Sequence, residues 1–213
     1  MKNTCSLEKV FLDAGDTCIA RIVLNRPFDN GRLTVRDCEV ICKYLKELQL
    51  DETCTAVILT GTGESFCMGA RIKEGQSTAT FMESFQKLHQ QFSAFHKPVY
   101  AAVNGRTGGG GMTLAAATDQ VFAVPETQFL LPEISSGAIP DFALRELSKQ
   151  LPKKVLFEMA STGKAKTAKE LEAYGFVKTV EDVEAAAFNA AKAVSFYSKD
   201  AVQKICSILK QQP

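Results

Sequence analysis

Hydrophobic positions in this chain recur with two different periods, and the switches between them predict its elements. Val10–Leu12 and Ile19–Leu24 flank the turn-forming run at 13–16, the pattern of a β-hairpin. A polar loop, Asn25–Gly31, leads to Thr34, an expected N-cap. Val35, Cys38, Ile41, Cys42, Leu45 and Leu48 then fall on one face of a helix running to about Gln49. Residues 56–60 form a short apolar run, as expected of a strand buried on both faces. Gly61–Ser65 breaks that run, and 66–73 reads as an irregular segment containing glycine. A second helix is expected from about Thr80 to Phe95, with Phe81, Phe85, Leu88, Phe92 and Phe95 at helical spacing. Pro98 stops it, and Val99–Val103 reads as another buried strand. Four consecutive glycines, Gly108 to Gly111, and a small-residue helix follow. Short strands are expected at Gln120–Val124 and Gln128–Leu131, then a turn-rich connector to Pro140. The rest reads as helix, broken near Pro152, Gly163 and Gly175, with one last short strand at Phe176–Val180.

Strands alternating with helices predict an α/β fold with a parallel-type sheet and a helical C-terminal portion. Neither a repeat nor a linker interrupts the chain. At 213 residues the expectation is one domain, with a core over about 8–180 and a helical tail over about 181–213. A formal net charge of +1 gives no electrostatic case for nucleic acid or an acidic membrane surface as partner. The apolar runs fall short of a membrane span, and the polar, charged N-terminal stretch does not read as a signal peptide. A cytoplasmic protein is expected. Its seven cysteines are odd in number and scattered, without a Cys-x-x-Cys pair, and the two histidines lie far from most of them. Reduced, buried thiols are therefore expected, with no metal site; Cys67, close to a glycine, is expected to be a small core residue.

Three segments put backbone donors or a carboxylate near a strand end. Glycine packs nothing and costs backbone entropy, so four in a row between buried elements suggest either close approach of backbone to a ligand or tight helix packing. In Phe66-Cys-Met-Gly-Ala-Arg71 a turn at Gly69 leaves the Ala70 N–H free to point outward. Gly110 offers a second N–H at a helix start. Two such donors on one carbonyl oxygen make an oxyanion hole, on the order of 3 kcal/mol per donor, suited to thioesters whose α-protons become acidic once the oxygen is stabilised. Glu133, flanked by Leu131, Pro132 and Ile134, is either a partly desolvated general base or a surface residue at a turn.

Taken together, the segments Asn25-Arg-Pro27, Val57–Gly61, Ser65–Glu74, Lys97–Gly105, Gly109–Gly111, Asp119 and Gln128–Ile134, with Gly137 and Ile139-Pro140, resemble the crotonase (enoyl-CoA hydratase/isomerase) superfamily over roughly Val10 to Val180. The resemblance implies a ββα spiral core and an enzyme acting on an acyl thioester through an enolate. It assigns the oxyanion-hole donors to Ala70 and Gly110 and the base to Glu133. Met68, Ile72 and Thr113 become substrate-binding residues, and Lys73 and Lys97 are candidate phosphate contacts, or solvated surface lysines. Coenzyme A or phosphopantetheine enters only as part of the substrate, so the partners are an acyl-CoA or an acyl carrier protein, with a homotrimer or hexamer as the assembly and no separate cofactor.

Several departures refine this. The second glutamate of the hydratases falls on Thr113, which argues against standard two-carboxylate hydration. It leaves double-bond isomerisation, a lyase reaction (dehydration or decarboxylation), or an inactive binding protein. Asp141, eight residues after Glu133, matches a second acid of dienoyl-CoA isomerases, and equally reads as a helix N-cap. Arg71 stands where the family commonly has aspartate, changing the charge beside the oxyanion hole. The helical C-terminal portion is shorter than in many members.

Overall fold

A computed structural model describes residues 4–12, 16–72 and 77–210. The turn expected at 13–16 lies largely outside them, as does Lys73. In chain order the elements are β1 (Cys5–Phe11), β2 (Cys18–Leu24), α1 (Val35–Leu50), β3 (Cys54–Gly61), β4 (Ser65–Cys67), α2 (Thr78–Ser93), β5 (Val99–Val103), β6 (Arg106–Gly108) and α3 (Gly110–Ala116). They continue with β7 (Gln120–Ala123), β8 (Gln128–Leu130), a 3-10 turn (Pro132–Ser136), α4 (Asp141–Leu147), α5 (Lys153–Thr162), β9 (Lys166–Thr167), α6 (Ala168–Glu172), β10 (Lys178–Thr179), α7 (Val183–Ser195) and α8 (Lys199–Lys210).

The strands form two sheets. Six run in the order β1-β2-β3-β5-β7-β10, antiparallel only between β1 and β2, and four run β4-β6-β8-β9. Each of β3, β5 and β7 bends after a few residues into the strand that follows it, and that strand enters the smaller sheet. A helix then returns the chain to the next turn, so the unit is strand, strand, helix, repeated as a spiral. Asn104 fixes one bend: its side chain accepts from Gly61 N–H at 2.9 Å and donates to Gly63 O at 2.9 Å.

All eight residues of β3 are buried, as its unbroken apolar run requires. Strand alternation divides them between two cores. Val57 and Leu59 join Val99, Ala101 and Val121 on the face covered by α1 and α2. Ala56 and Ile58 join Tyr100, Ala102 and Phe122 on the opposite face, where Ala187 and Ala191 of α7 lie flat against them. Small alanines let that helix approach closely, so α7, within the stretch expected as a tail, is a layer of the fold.

Helix α1 begins as its sequence predicts. Thr34 accepts from the Asp37 N–H, and the Asp37 carboxylate returns to the Thr34 N–H, a reciprocal cap. Its far end holds a correction. Lys97 is 3% exposed, and its ammonium donates to the Leu48 and Asp51 carbonyls at 2.6 and 2.7 Å. It closes the C-terminus of α1, where the helix dipole favours a cation, and is neither a phosphate contact nor a solvated lysine.

Two other expectations shift. Residues 65–67 are a strand, β4, and the glycine run is divided: Gly108 ends β6, Gly109 caps α3, and Gly110 and Gly111 begin that helix. The two-residue β9 has no apolar signal, because one backbone pairing with β8 defines it. Replacing Lys97 with Met should strand the two buried carbonyls and destabilise the fold by about 1–3 kcal/mol, read as a lower denaturant midpoint at unchanged slope; an unchanged midpoint would remove the capping role.

Candidate active site

Pairing in the smaller sheet brings the three chemistry-bearing segments together. β6 lies between β4 and β8, with Thr107 paired to Cys67 and Gly108 to Leu130. The residues just past each strand end, Met68–Ala70, Gly109–Gly110 and Leu131–Glu133, therefore emerge side by side. Gly109 N–H donates to Leu130 O at 3.0 Å, extending the register one residue beyond the strand.

The first two segments meet through backbone. A methyl group built on Gly110 would sit 3.6 Å from Gly69 Cα, and one built on Gly69 would sit 3.3 Å from the Gly110 nitrogen. Deeper in, a methyl on Gly111 would lie 1.9 Å from Cys67 O, so a side chain there would force α3 off β4. Ala70 forms an isolated parallel bridge with Leu33 in which Leu33 N–H donates to Gly69 O (2.8 Å) and Arg71 N–H donates to Leu33 O (2.7 Å). That pattern uses the groups on either side of the Ala70 N–H and leaves the N–H itself outside the bridge. Gly110, first residue of α3, has no helical carbonyl one turn before it to accept its N–H. Two donors without a partner among the described residues thus sit on adjoining backbone, beside the ring of Phe85, whose Cζ would be 3.2 Å from a methyl on Gly110.

Glu133 occupies the second position of the 3-10 turn after β8. Its carboxylate lies against Gly109, where a methyl group would meet Oε1 at 2.4 Å; Gly109 itself adopts φ +53°, which an L side chain resists. Ser136 Oγ and Ala138 N–H both donate to the Glu133 carbonyl, at 2.9 and 3.1 Å, so the backbone is held while Oε2 is buried without a partner among the described residues. Burial raises the Glu133 carboxyl above its ordinary range, and its own backbone N–H offsets part of that. A raised carboxyl with one oxygen unpartnered among the described residues is chemically suited to take up a proton.

The other expected residues scatter around this centre. Thr113 is fully buried on α3, one turn beyond Gly109, with its hydroxyl unpartnered among the described residues. Met68 folds over Gly108, its methyl 2.9 Å from where a Cβ would stand. Ile72 is 38% exposed and lines a small cavity of about 100 Å³ with Val35, Arg71, Thr80 and Phe81. Asp141 is not an N-cap. Pro140 holds that position, and the Asp141 carboxylate pairs at the surface with Arg145, 3.1 Å away and one turn on. Among the described residues its carboxylate is bonded to Arg145 alone. Cys67 is fully buried and burial pushes its thiol up to about 12, so it behaves as a core residue. Asp119 holds the start of β5, accepting from Val99 N–H at 2.7 Å.

The changed charge expected at Arg71 takes the form of an ion pair: its guanidinium meets Asp29 at 2.7 Å beside Ala70. Neither Asp29 nor Phe85 was singled out as a site residue by sequence; Phe85 is one member of the aromatic stripe, and Asp29 sits in a loop with no periodicity to mark it.

Two sheets joined by a strand-strand-helix spiral define a crotonase-type fold. The sequence profile described as Enoyl-CoA hydratase/isomerase matches residues 15–212, and the chain belongs to that family. It is 34% identical over 149 residues to the mitochondrial enoyl-CoA hydratase of Pongo abelii, covering 68% of this chain and 51% of that protein. With the carnitinyl-CoA dehydratase of Proteus mirabilis it shares 33% over 157 residues, 70% of this chain and 59% of that one. The chain thus spans about half the length of these curated relatives. Among solved structures, human enoyl Coenzyme A hydratase domain-containing protein 3 superposes with a TM-score of 0.90 at 21% identity, covering 99% of this chain and 86% of that one. An enoyl-CoA hydratase from Bacillus anthracis gives 0.85 at 25%, covering 98% and 83%.

The raised Glu133 carboxyl makes a pH prediction. Protons bind the folded state more tightly than the unfolded chain, so this group lowers stability as pH rises from the unfolded pKa through the folded one. Glu133→Gln, which mimics the protonated form, should melt higher than the parent protein at pH 7, with the gap closing below about pH 4. A gap independent of pH would show that burial does not shift this carboxyl.

Proposed function

We propose that the protein moves a double bond within an enoyl thioester, using Glu133 as its single base. The observation that carries this reading is the buried Glu133 carboxylate, one oxygen unpartnered among the described residues, set near the Ala70 and Gly110 segments. With the thioester carbonyl oxygen between the two donors, Glu133 takes a proton from the α-carbon of a 3-enoyl group. The electron pair moves onto the carbonyl oxygen, where the two N–H groups stabilise the dienolate. The same carboxyl then returns a proton to the γ-carbon, leaving the 2-enoyl thioester. One base suffices, because the carboxylate is regenerated within each turnover. Thr113, in place of a second carboxylate, supplies no further proton carrier.

One observation favours a second reading, dehydration of a 3-hydroxyacyl thioester. The Thr113 hydroxyl is buried without a partner, which suits a group that holds a departing or attacking water. A dehydratase among the relatives at 33% identity points the same way. The thioester carrier on either reading is coenzyme A, with an acyl carrier protein as the alternative. The assembly expected with it is a homotrimer or hexamer. An apolar groove of about 540 Å³ between the 3-10 turn, α4 and α5 supports self-association, with Ile139 and Phe157 both more than 70% exposed on its rim.

Incubation with 3-hexenoyl-CoA in deuterated buffer, followed by proton NMR, should give 2-hexenoyl-CoA with deuterium in the acyl chain. Glu133→Gln should lower the rate at least about 100-fold. A 3-hydroxyacyl product would instead select the hydration and dehydration reading. Absence of both turnover and exchange would contradict this function.

A further inference from the structure

An alternating chain of charges runs from the core to the Ala70 donor. Asp37 is 1% exposed and accepts from the Thr34 N–H and hydroxyl at 2.8 and 2.6 Å, from Thr4, and from Arg26 Nη1 at 3.1 Å. The other arm of Arg26 donates to Asp29 Oδ2 at 2.8 Å. The second oxygen of Asp29 accepts from Arg71 Nη1 at 2.7 Å. Arg71 is the residue directly after Ala70. The sequence of signs is minus, plus, minus, plus, so every charge has an opposite neighbour and the set is neutral.

Exposure falls inward along this chain. The Arg71 side chain is 44% exposed, Asp29 18%, Arg26 15% and Asp37 2%. An exposed pair alone would contribute little. Here the outer pair is anchored on partly buried partners that are themselves fixed by the cap of α1, so the geometry does not depend on two free side chains finding each other.

The same loop is stitched by backbone. Met68 N–H donates to Asn30 O at 3.0 Å, and the Leu33–Ala70 bridge follows. These bonds fix the 68–71 strand end laterally against 30–33. Among the described residues this ladder ends at the Arg71 N–H, and Arg71 and Ile72 then enter the wall of the small cavity. The Arg71–Asp29 contact closes that end. We propose that Arg71, through Asp29 and Arg26, is a positioning residue that holds the Ala70 N–H at the distance and angle needed to share a thioester oxygen with Gly110. Arginine at this place thus exchanges a free charge at the site wall for a strut tied to the core. The inference rests on the oxyanion-hole reading of Ala70 and Gly110.

The test uses the full chain with Arg71→Met, Asp29→Asn, their double variant and Arg71→Lys. Two readouts are taken: kcat and KM for 3-hexenoyl-CoA, and the absorption shift of bound 4-dimethylaminocinnamoyl-CoA, a conjugated thioester whose band moves to the red as its carbonyl is polarised. Displacing one donor should lower kcat about 10-fold with KM changed less than about 2-fold, since the interaction is made in the transition state. The red shift should shrink in parallel. The double variant should match the single ones, because both break one strut, and Arg71→Lys should recover part of both signals. Melting curves establish that each variant is folded at the assay temperature. Folded variants with unchanged kcat and unchanged shift overturn the strut. Parent protein that shifts the probe without turnover removes the isomerase reading and leaves the strut to be judged by the shift alone. Parent protein giving neither signal overturns both.

Discussion

The site depends on a contact between two stretches of main chain that no side chain could separate. Helix α3 starts so close to the end of β4 that a methyl group on Gly111 would overlap Cys67 O at 1.9 Å. Close packing of this kind is stiff, because neither partner has a rotamer to change. It sets Gly110 against Gly69 and so brings the start of α3 beside the Ala70 segment. Every other feature of the site is arranged around that contact: Phe85 walls it, Glu133 faces it across Gly109, and the Arg26–Asp29–Arg71 chain braces its outer edge.

Burial acts in two places with opposite signs. In the main sheet it stabilises, by packing Val57, Leu59 and their neighbours on one face and Ile58, Tyr100 and Phe122 on the other. At Glu133 it opposes the charged form and leaves Oε2 without a partner among the described residues, a local cost that the surrounding fold supports. Lys97 is a buried charge with a purely structural role, and its ammonium is bonded to two carbonyls. The contrast between a satisfied lysine and an unsatisfied glutamate distinguishes a brace from a reactive group more clearly than exposure does.

How much of this was legible in the sequence depended on the range of the interaction. Helices α1 and α2 and strands β3 and β5 were readable because their signals are local: a cap at Thr34, an aromatic stripe, unbroken apolar runs. The three site segments were readable as glycine-rich or carboxylate-bearing strand ends, and the family resemblance gave them roles. What could not be read were contacts between residues far apart in the chain. Lys97 looks like any lysine until it is placed beneath the end of α1, 46 and 49 residues away from the carbonyls it caps. Arg71 looks like an uncompensated charge until Asp29, 42 residues earlier, is brought to it. Spacing supplies no register between such partners; only the folded chain does.

If the site works as proposed, the Ala70 and Gly110 N–H groups converge on one oxygen with Glu133 over the adjoining carbon. A crystal structure with a slowly reacting acyl-CoA analogue measures that directly. The thioester oxygen is expected at about 3 Å from both nitrogens, with a Glu133 oxygen within about 3.5 Å of the α-carbon. A thioester seated elsewhere, or one whose oxygen meets only water, would contradict it.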